Sequence, residues 1–269
     1  MLYQLSYTPA RVSGASIAGF APRQATSALR GAKARAMHAP ASPLIAAEML
    51  LLAYRSGVFP MADSREDEEV FWVEPRNRAI FPLDGFRVSR SLAKLLKQAR
   101  FDIRVDGDFA GVIRECAQPR LDHPETWISE IIEASYRNLH RQGHAHSVEC
   151  WRDGKLVGGL YGVAFDRVFC GESMFARADN ASKVALAALV SLMRRAGYRL
   201  LDCQFMTDHL ASLGAVQISR DDYQDLLAGA CAGSPRCSLP QAMADLRKEA
   251  QASSSSPGKL IAQSLTQTS

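Results

Sequence analysis

Apolar side chains recur along the chain with two different periods, and the change between them predicts the order of its elements. Residues 87–99 follow the helical period, which places Leu92 and Leu96 on one face. Asp153-Gly154 separates two apolar runs and is typical of a hairpin turn. The second half of the chain is then predicted to contain strands 145–152, 155–165 and 168–175, helix 180–196 and strand 199–205.

This order of elements predicts an α+β fold. Three consecutive strands form an antiparallel meander, and a helix then carries the chain to a parallel strand. The pattern is similar to the N-acetyltransferase fold, a mixed, mostly antiparallel sheet flanked by helices, here with a small N-terminal α/β domain. The predicted parts are an N-terminal extension 1–41, a small domain 42–100, an acyltransferase-like domain 101–232 and a disordered, Ser/Gln/Pro-rich tail 233–269.

Basic residues are concentrated at the start of the chain. Residues 1–47 carry five basic residues and no acid, whereas the remainder has 27 Lys and Arg against 28 Asp and Glu. Any contact of the folded part with nucleic acid must therefore come from a local patch. Residues 1–41 resemble an organellar transit peptide, and a disordered extension or a start near Met37 is the alternative.

Cysteine and histidine spacing argues against a metal site. The six cysteines include no Cys-x-x-Cys pair, and His144 and His146 have no third ligand at a suitable spacing. Scattered cysteines indicate a reducing compartment, which favours the cytoplasm. Every apolar run is shorter than the ~18 residues that a membrane-spanning helix needs, so no membrane partner is expected.

Two acids interrupt apolar strands on either side of the helix 180–196. They are Glu172 and Asp202. A carboxylate in an apolar strand is unfavourable unless it is paired or used. Either both acids end their strands in solvent or pair with Arg177 or Lys183, or they belong to a functional site.

The helix predicted at 87–99 also has a cationic face. A plain solvated face is the alternative to a phosphate contact, but no acid lies between the cations, so the face is the best candidate in the chain for binding nucleic acid. It consists of Arg87, Arg90, Lys94 and Lys97.

The junction before the helix 180–196 argues against coenzyme A. Acetyl-CoA-dependent N-acetyltransferases bind the pyrophosphate at a glycine-containing turn in this place, where backbone amides close on the phosphates. Residues 177–183 contain no glycine. An acyl donor without a pyrophosphate is therefore expected.

Eight segments resemble, in the same order, motifs of the leucyl/phenylalanyl-tRNA–protein transferase family. The resemblance implies transfer of Leu or Phe, with Met as a further donor, from aminoacyl-tRNA to the N-terminal Arg or Lys of a protein, which marks that protein for N-degron degradation. No ATP, metal or cofactor is implied, because the ester is already activated. The segments are residues 54–60, 88–91, 126–128, 143–147, 156–163, 169–175, 180–183 and 202–204.

The resemblance assigns catalysis to Asp202 and Gln204. A neutral amide is a very poor base, so we interpret Gln204 as an orienting or polarising group. Asp202 either accepts a proton or holds Gln204 in place. Glu172 and Asp202 are expected to attract the positive charges of the acceptor, and Glu172, with no cation close by in sequence, is expected to pair with the acceptor's N-terminal Arg or Lys.

The resemblance also implies a donor site. Trp127 is expected to stack on the terminal adenosine, with Tyr136 hydrogen-bonding nearby. Met61 stands where many family members have Trp, which leaves the adenine stacked on one side. The apolar slot and its surroundings are expected to comprise Leu160, Gly171, Ser173, Met174, Leu186, Leu189 and Leu201.

Three function classes remain at this point. The first is the transferase, a monomer whose partners are Leu-tRNA, Phe-tRNA and proteins with N-terminal Arg or Lys. The second is a coenzyme A-dependent N-acetyltransferase. The third is a tRNA-binding module without catalysis.

Overall fold

The computed structural model describes residues 44–119 and 125–266, so the predictions for residues 1–41 lie outside the described residues. The helices are α1 (Ala47–Arg55), α2 (Arg90–Lys97), α3 (Phe109–Cys116), α4 (Glu130–Arg141), α5 (Ala181–Ala196), α6 (Asp208–Leu213), α7 (Arg220–Cys231), α8 (Leu239–Ala252) and α9 (Pro257–Thr266). The strands are β1 (Phe59–Met61), β2 (Phe71–Val73), β3 (Asn77–Phe81), β4 (Asp102–Val105), β5 (Ala145–Arg152), β6 (Lys155–Phe165), β7 (Val168–Ala176), β8 (Leu200–Gln204) and β9 (Val216–Ser219).

A seven-stranded sheet forms the frame of the protein, in the order β4-β5-β6-β7-β8-β3-β9. Neighbouring strands are antiparallel except β7 and β8, which are parallel. Parallel neighbours need a crossover connection, and α5 supplies it. The predicted α+β class, with a mixed, mostly antiparallel sheet flanked by helices, is confirmed.

The sheet separates two clusters of buried side chains, one around α5 and the other around α1, α3, α4 and α7. Successive side chains of β6 point to opposite faces of the sheet and so contribute to both clusters, with Leu160 in the first and Tyr161 in the second. Gly158 allows α5 to approach this strand, because a Cβ at that position would overlap the side chain of Ala181. The start of α5 is therefore fixed directly against the sheet.

The prediction of a disordered tail is wrong for α8 and α9, which pack against α5. Average composition concealed a helical period: Leu239, Met243 and Leu246 are spaced by four and three residues and are all buried. The side chain of Ser238 caps the first turn of α8.

The predicted boundary at residue 100 does not separate two sheets. β3 lies within the main sheet, between β8 and β9. In the described part of the chain before residue 100, β1 and β2 pair with each other and form a separate two-stranded sheet. The N-terminal segment therefore contributes a strand directly to the seven-stranded sheet.

Within 44–119 and 125–266, none of the helices has the length and apolarity that crossing a membrane requires.

We expect Leu246→Ala to lower the free energy of unfolding by about 2–5 kcal/mol, because the side chain is buried and its removal leaves a cavity beside α5. Gln251→Ala, at an exposed position of the same helix, is the control and should unfold close to wild type. Urea denaturation measures both. Equal midpoints for the two variants would contradict the packing of α8 against the domain.

Candidate active site

A β-bulge in β7 places Glu172 inside the protein. Gly162 pairs with Gly171, and Tyr161 pairs with Ser173, so Glu172 is one extra residue in its strand. Such bulges change the direction of a side chain and are common beside active sites. A Cβ at Gly162 would overlap the backbone oxygen of Cys170, so only glycine fits opposite the bulge.

Glu172 is fully buried and its partners are uncharged. Its Oε1 accepts hydrogen bonds from the Tyr54 hydroxyl (2.8 Å) and Gln204 Nε2 (2.8 Å), and its Oε2 accepts one from the Tyr136 hydroxyl (3.1 Å). The two tyrosine hydroxyls also hydrogen-bond to each other. Burial raises the pKa of Glu172 to about 8, an effect that the tyrosine hydrogen bonds only partly offset. Glu172 therefore has three hydrogen-bond partners that local sequence did not predict, and none of the three is a cation.

Asp202 is buried in an ion pair with Arg78 that local sequence did not predict. Arg78 Nε and Nη2 donate to its two carboxylate oxygens at 2.9 and 2.6 Å. The Tyr223 hydroxyl donates at 3.0 Å and the backbone N–H of Gln204 at 2.8 Å. The guanidinium lies over the rings of Phe59 and Tyr223, at 4.9 and 4.5 Å from their centres. The available sequence signal was an arginine within the apolar strand β3.

Gln204 connects the two acids. Its backbone N–H binds Asp202, and its side-chain Nε2 binds Glu172. Its φ of 62° is in the left-handed region, and the N–H of Phe205 donates to the oxygen of Cys203 at 2.7 Å, which closes a γ-turn around Gln204. This conformation is unfavourable for a non-glycine residue and persists only where surrounding contacts stabilise it.

An apolar cavity of about 40 Å³ lies beside Glu172, between β6, β7, β8 and α5. On this measure a water needs about 10–15 Å³, so the cavity has room for a group larger than a water molecule. The structure brings together Glu172 and the residues expected to form the slot, and it adds five that were not predicted. The former are Leu160, Gly171, Ser173, Met174, Leu186, Leu189 and Leu201; the latter are Tyr161, Cys203, Thr207, His209 and Leu210.

The other expected site residues lie outside this cavity. Met61 and Tyr136 are buried in the cluster on the opposite face of the sheet, and the half-buried Trp127 packs against that cluster. Met61 and Trp127 are close together, since the N–H of Ala62 donates to the oxygen of Trp127 at 3.3 Å. His146, for which no metal role is expected, binds Asp106 through Nδ1 at 2.7 Å.

The predicted cationic face is present on and beside α2. Ser89 caps the helix by accepting from the N–H of Leu92. The four basic residues of the cationic face are all exposed to solvent: Arg87, Arg90, Lys94 and Lys97.

The mixed, mostly antiparallel sheet with its helical crossover is consistent with an acyltransferase-like fold. Residues 80–228 match the family model described as leucyl/phenylalanyl-tRNA protein transferase, and residues 45–76 match the model of its N-terminal domain. The chain belongs to the leucyl/phenylalanyl-tRNA protein transferase family and is an aminoacyltransferase that uses aminoacyl-tRNA.

Individual relatives carry the same name. The leucyl/phenylalanyl-tRNA–protein transferase of Novosphingobium aromaticivorans is 53% identical over 82% of this chain and 96% of its own length. That of Rhizorhabdus wittichii is 61% identical over 67% of this chain and 73% of its own length. Among solved structures, that of L-PGS from Bacillus licheniformis is similar with a TM-score of 0.35 and 13% identity, over 61% of this chain and 55% of that chain.

We expect Glu172→Gln to flatten the dependence of stability on pH. Because the folded pKa of Glu172 is raised from 4.5 to about 8, the folded protein keeps a proton that the unfolded chain releases between these values. The stabilisation is complete below the unfolded pKa and is lost as the pH rises through about 8.

Urea denaturation at several pH values between about 5 and 9 tests this linkage. The unfolding free energy of wild type should fall more steeply with pH than that of Glu172→Gln. Glu68→Gln, at an exposed position, should follow wild type. Parallel curves for wild type and Glu172→Gln would show that Glu172 does not hold the proton.

Proposed function

We propose that the protein transfers leucine or phenylalanine, with methionine as a further donor, from aminoacyl-tRNA to the N-terminal Arg or Lys of acceptor proteins. The new N-terminal residue marks the acceptor for degradation by the N-degron pathway. The apolar cavity at Glu172 carries this proposal, since it offers a donor side chain an apolar slot beside a buried polar network. We further propose a cytoplasmic monomer that needs no metal or cofactor.

The reaction needs positioning more than a strong base. The neutral α-amine of the acceptor attacks the ester carbonyl carbon; a C–N bond forms, the ester C–O bond breaks, and the ribose oxygen leaves with the proton that the amine gives up. An α-amine has an unperturbed pKa near ~8, so a useful fraction is neutral at physiological pH. Holding the two reactants in place then supplies much of the rate.

Gln204 is the residue that we assign to orienting the amine. Its Nε2 donates to Glu172, which directs the amide oxygen away from that carboxyl and leaves it able to accept from the attacking amine. Asp202 is the residue that we assign to holding Gln204. Its oxygens are occupied by Arg78, Tyr223 and the backbone of Gln204, which argues against its alternative role as the proton acceptor.

The apolar cavity suits the donor side chain. Leucine and phenylalanine carry a CH₂ at Cβ, and their remaining carbons are apolar, as are most groups that line the cavity. We assign this role to the slot formed by Leu160, Met174, Leu186, Leu189 and Leu201.

We assign Trp127 to stacking on the terminal adenosine of the donor. Trp127 is half-buried, so part of its indole remains accessible for stacking. Met61 is buried and offers no comparable surface. The hydroxyl of Tyr136 is occupied by Tyr54 and Glu172. We therefore assign Tyr136 to holding Glu172.

Of the two acids, Glu172 is better placed to recognise the positive charge of the acceptor. The charge of Asp202 is offset by Arg78 at 2.6 Å. Burial keeps the pKa of Glu172 raised, but an approaching Arg or Lys would favour the ionised carboxylate. We therefore propose that binding of a cationic acceptor lowers the pKa of Glu172, so that the carboxyl group releases its proton to solvent and pairs with the acceptor as a carboxylate.

A transfer assay with Leu-tRNA and peptides that begin with Arg or Ala tests the function. Leucine should be transferred to the Arg-initiated peptide and hardly at all to the Ala-initiated one. The selectivity for Arg should decrease in Glu172→Gln. Acetylation of the peptide from acetyl-CoA, or tRNA binding without transfer, would replace this proposal with one of the two other classes.

We expect Gln204→Ala to lower kcat by about 10²-fold, the scale for losing one group that positions a reacting atom. The Kd for tRNA should change less than about twofold, because Gln204 is buried and is not one of the exposed basic residues of the cationic face. Gln217→Ala, at an exposed position on β9, is the matched control and should keep wild-type kcat. A parallel loss of tRNA affinity in Gln204→Ala would argue against a positioning role.

We expect Leu-tRNA to be preferred over Ile-tRNA by about 10- to 200-fold in kcat/KM, the discrimination that an apolar pocket gives against one misplaced methyl group. Leu189→Ala widens the slot and should reduce the ratio. Competition between the two charged tRNAs measures it. Equal kcat/KM for both donors in wild type would show that the slot does not read the Cβ position.

A further inference from the structure

A second cavity, of about 400 Å³, lies between the 3₁₀ turn Leu83–Gly85 and the C-terminal end of α5. It is at the start of β8, whereas Gln204 is at the end, and a strand of this length spans roughly 15 Å. Four arginines and one acid line the cavity. The lining residues are Leu83, Asp84, Arg167, Arg194, Gly197, Tyr198, Arg199, Ser234 and Arg236, and we call this cavity the arginine cleft.

Arg194 and Arg167 have partners in the part of the chain that the structure describes. Arg194 lies 3.4 Å from Asp84 and donates to the backbone oxygen of Ser264 at 2.8 Å. Arg167 donates to the backbone oxygens of Ala230 and Gly229, at 3.2 and 2.7 Å. These contacts orient both groups at the wall of the cleft.

Arg199 and Arg236 remain available at the rim. Both are exposed, and within residues 44–119 and 125–266 neither forms an ion pair. Arg236 is held in place, because its backbone N–H donates to Ala196 at 2.7 Å and its stem packs over Gly197. The cleft therefore presents guanidinium groups that are positioned but not neutralised.

An anion with several oxygens is the chemistry that fits this arrangement. Four like charges near one carboxylate repel one another, and a bound anion would relieve that repulsion. The planar guanidinium fork matches the oxygens of phosphate, and Arg is preferred for that reason at phosphate sites.

We propose that the arginine cleft binds phosphodiester groups of the tRNA that brings the donor amino acid, an inference that rests on the proposed function. Asp84 lines the cleft, and Arg87, three residues later, begins the cationic face of α2. Three residues span at most about 10 Å, so the two cationic surfaces adjoin. A polyanion can occupy both at once, whereas a small phosphate compound needs only the cleft.

The arginine cleft is formed partly by the family-matched domain and partly by the C-terminal segment that follows it. The family match ends at residue 228, and Ser234 and Arg236 lie beyond it in the segment that leads into α8. By packing α8 and α9 against α5, the chain brings Arg236 to the cleft.

The double variant Arg199→Ala/Arg236→Ala tests the proposal in the full-length protein. The Kd for Leu-tRNA should rise several-fold near 0.1 M salt, and the log–log slope of affinity against salt should fall by about 1–2. Transfer from leucyl-adenosine, a donor without phosphates, should stay within about twofold of wild type. Arg152→Ala/Lys155→Ala removes two exposed charges at the β5–β6 hairpin, some 35 Å along β6 from Arg167, and should leave both measurements unchanged.

An unchanged tRNA affinity and salt slope in the double variant would overturn the proposal, whether or not inorganic phosphate binds to the cleft. Thermal unfolding checks the fold, and Arg199→Gln/Arg236→Gln repeats the test with longer side chains. Failure of the proposed function is distinguishable, because it would abolish transfer in wild type from both Leu-tRNA and leucyl-adenosine.

Discussion

The buried ion pair between Arg78 and Asp202 joins a strand from the first third of the chain to the strand that carries Gln204. Removing two charges from water costs several kcal/mol for each ion. Close geometry offsets this cost, since both carboxylate oxygens bind the guanidinium and Arg78 also donates to the oxygen of Gly57 at 2.9 Å. With Asp202 fixed, the N–H of Gln204 has a fixed acceptor and its left-handed backbone is maintained.

The two acids of the site differ in what surrounds them. Asp202 faces a guanidinium, and Glu172 faces two hydroxyl groups and an amide. Environment alone can give two neighbouring carboxyl groups different roles. In this site one acid holds the backbone, while the other has a pKa close to the physiological range and can respond to charge brought by a ligand.

Local pattern was sufficient for the strands β5 to β8 and for the helix α5 between them, whereas the slot residues came from the family resemblance and β9 was not predicted. The hairpin at Asp153-Gly154 has both residues at positive φ, at 53° and 71°, as its sequence indicates. The partners of the acids could not be predicted in this way, because Arg78 lies far from Asp202 in sequence and no periodicity reports which strands become neighbours. The bulge at Glu172 was also hidden, since a single extra residue becomes evident only when the partner strand is known. The prediction for the tail was wrong because its Ser/Gln/Pro-rich composition masks the helical period of its apolar residues.

The position of α8 and α9 has a consequence for how the chain reaches its fold. α5 is apolar nearly all round, and its outer face is covered by residues that follow it by more than forty positions. During synthesis α5 therefore leaves the ribosome before the helices that shield it. For that interval the growing chain carries an exposed apolar helix, the kind of surface that chaperones bind and that promotes aggregation.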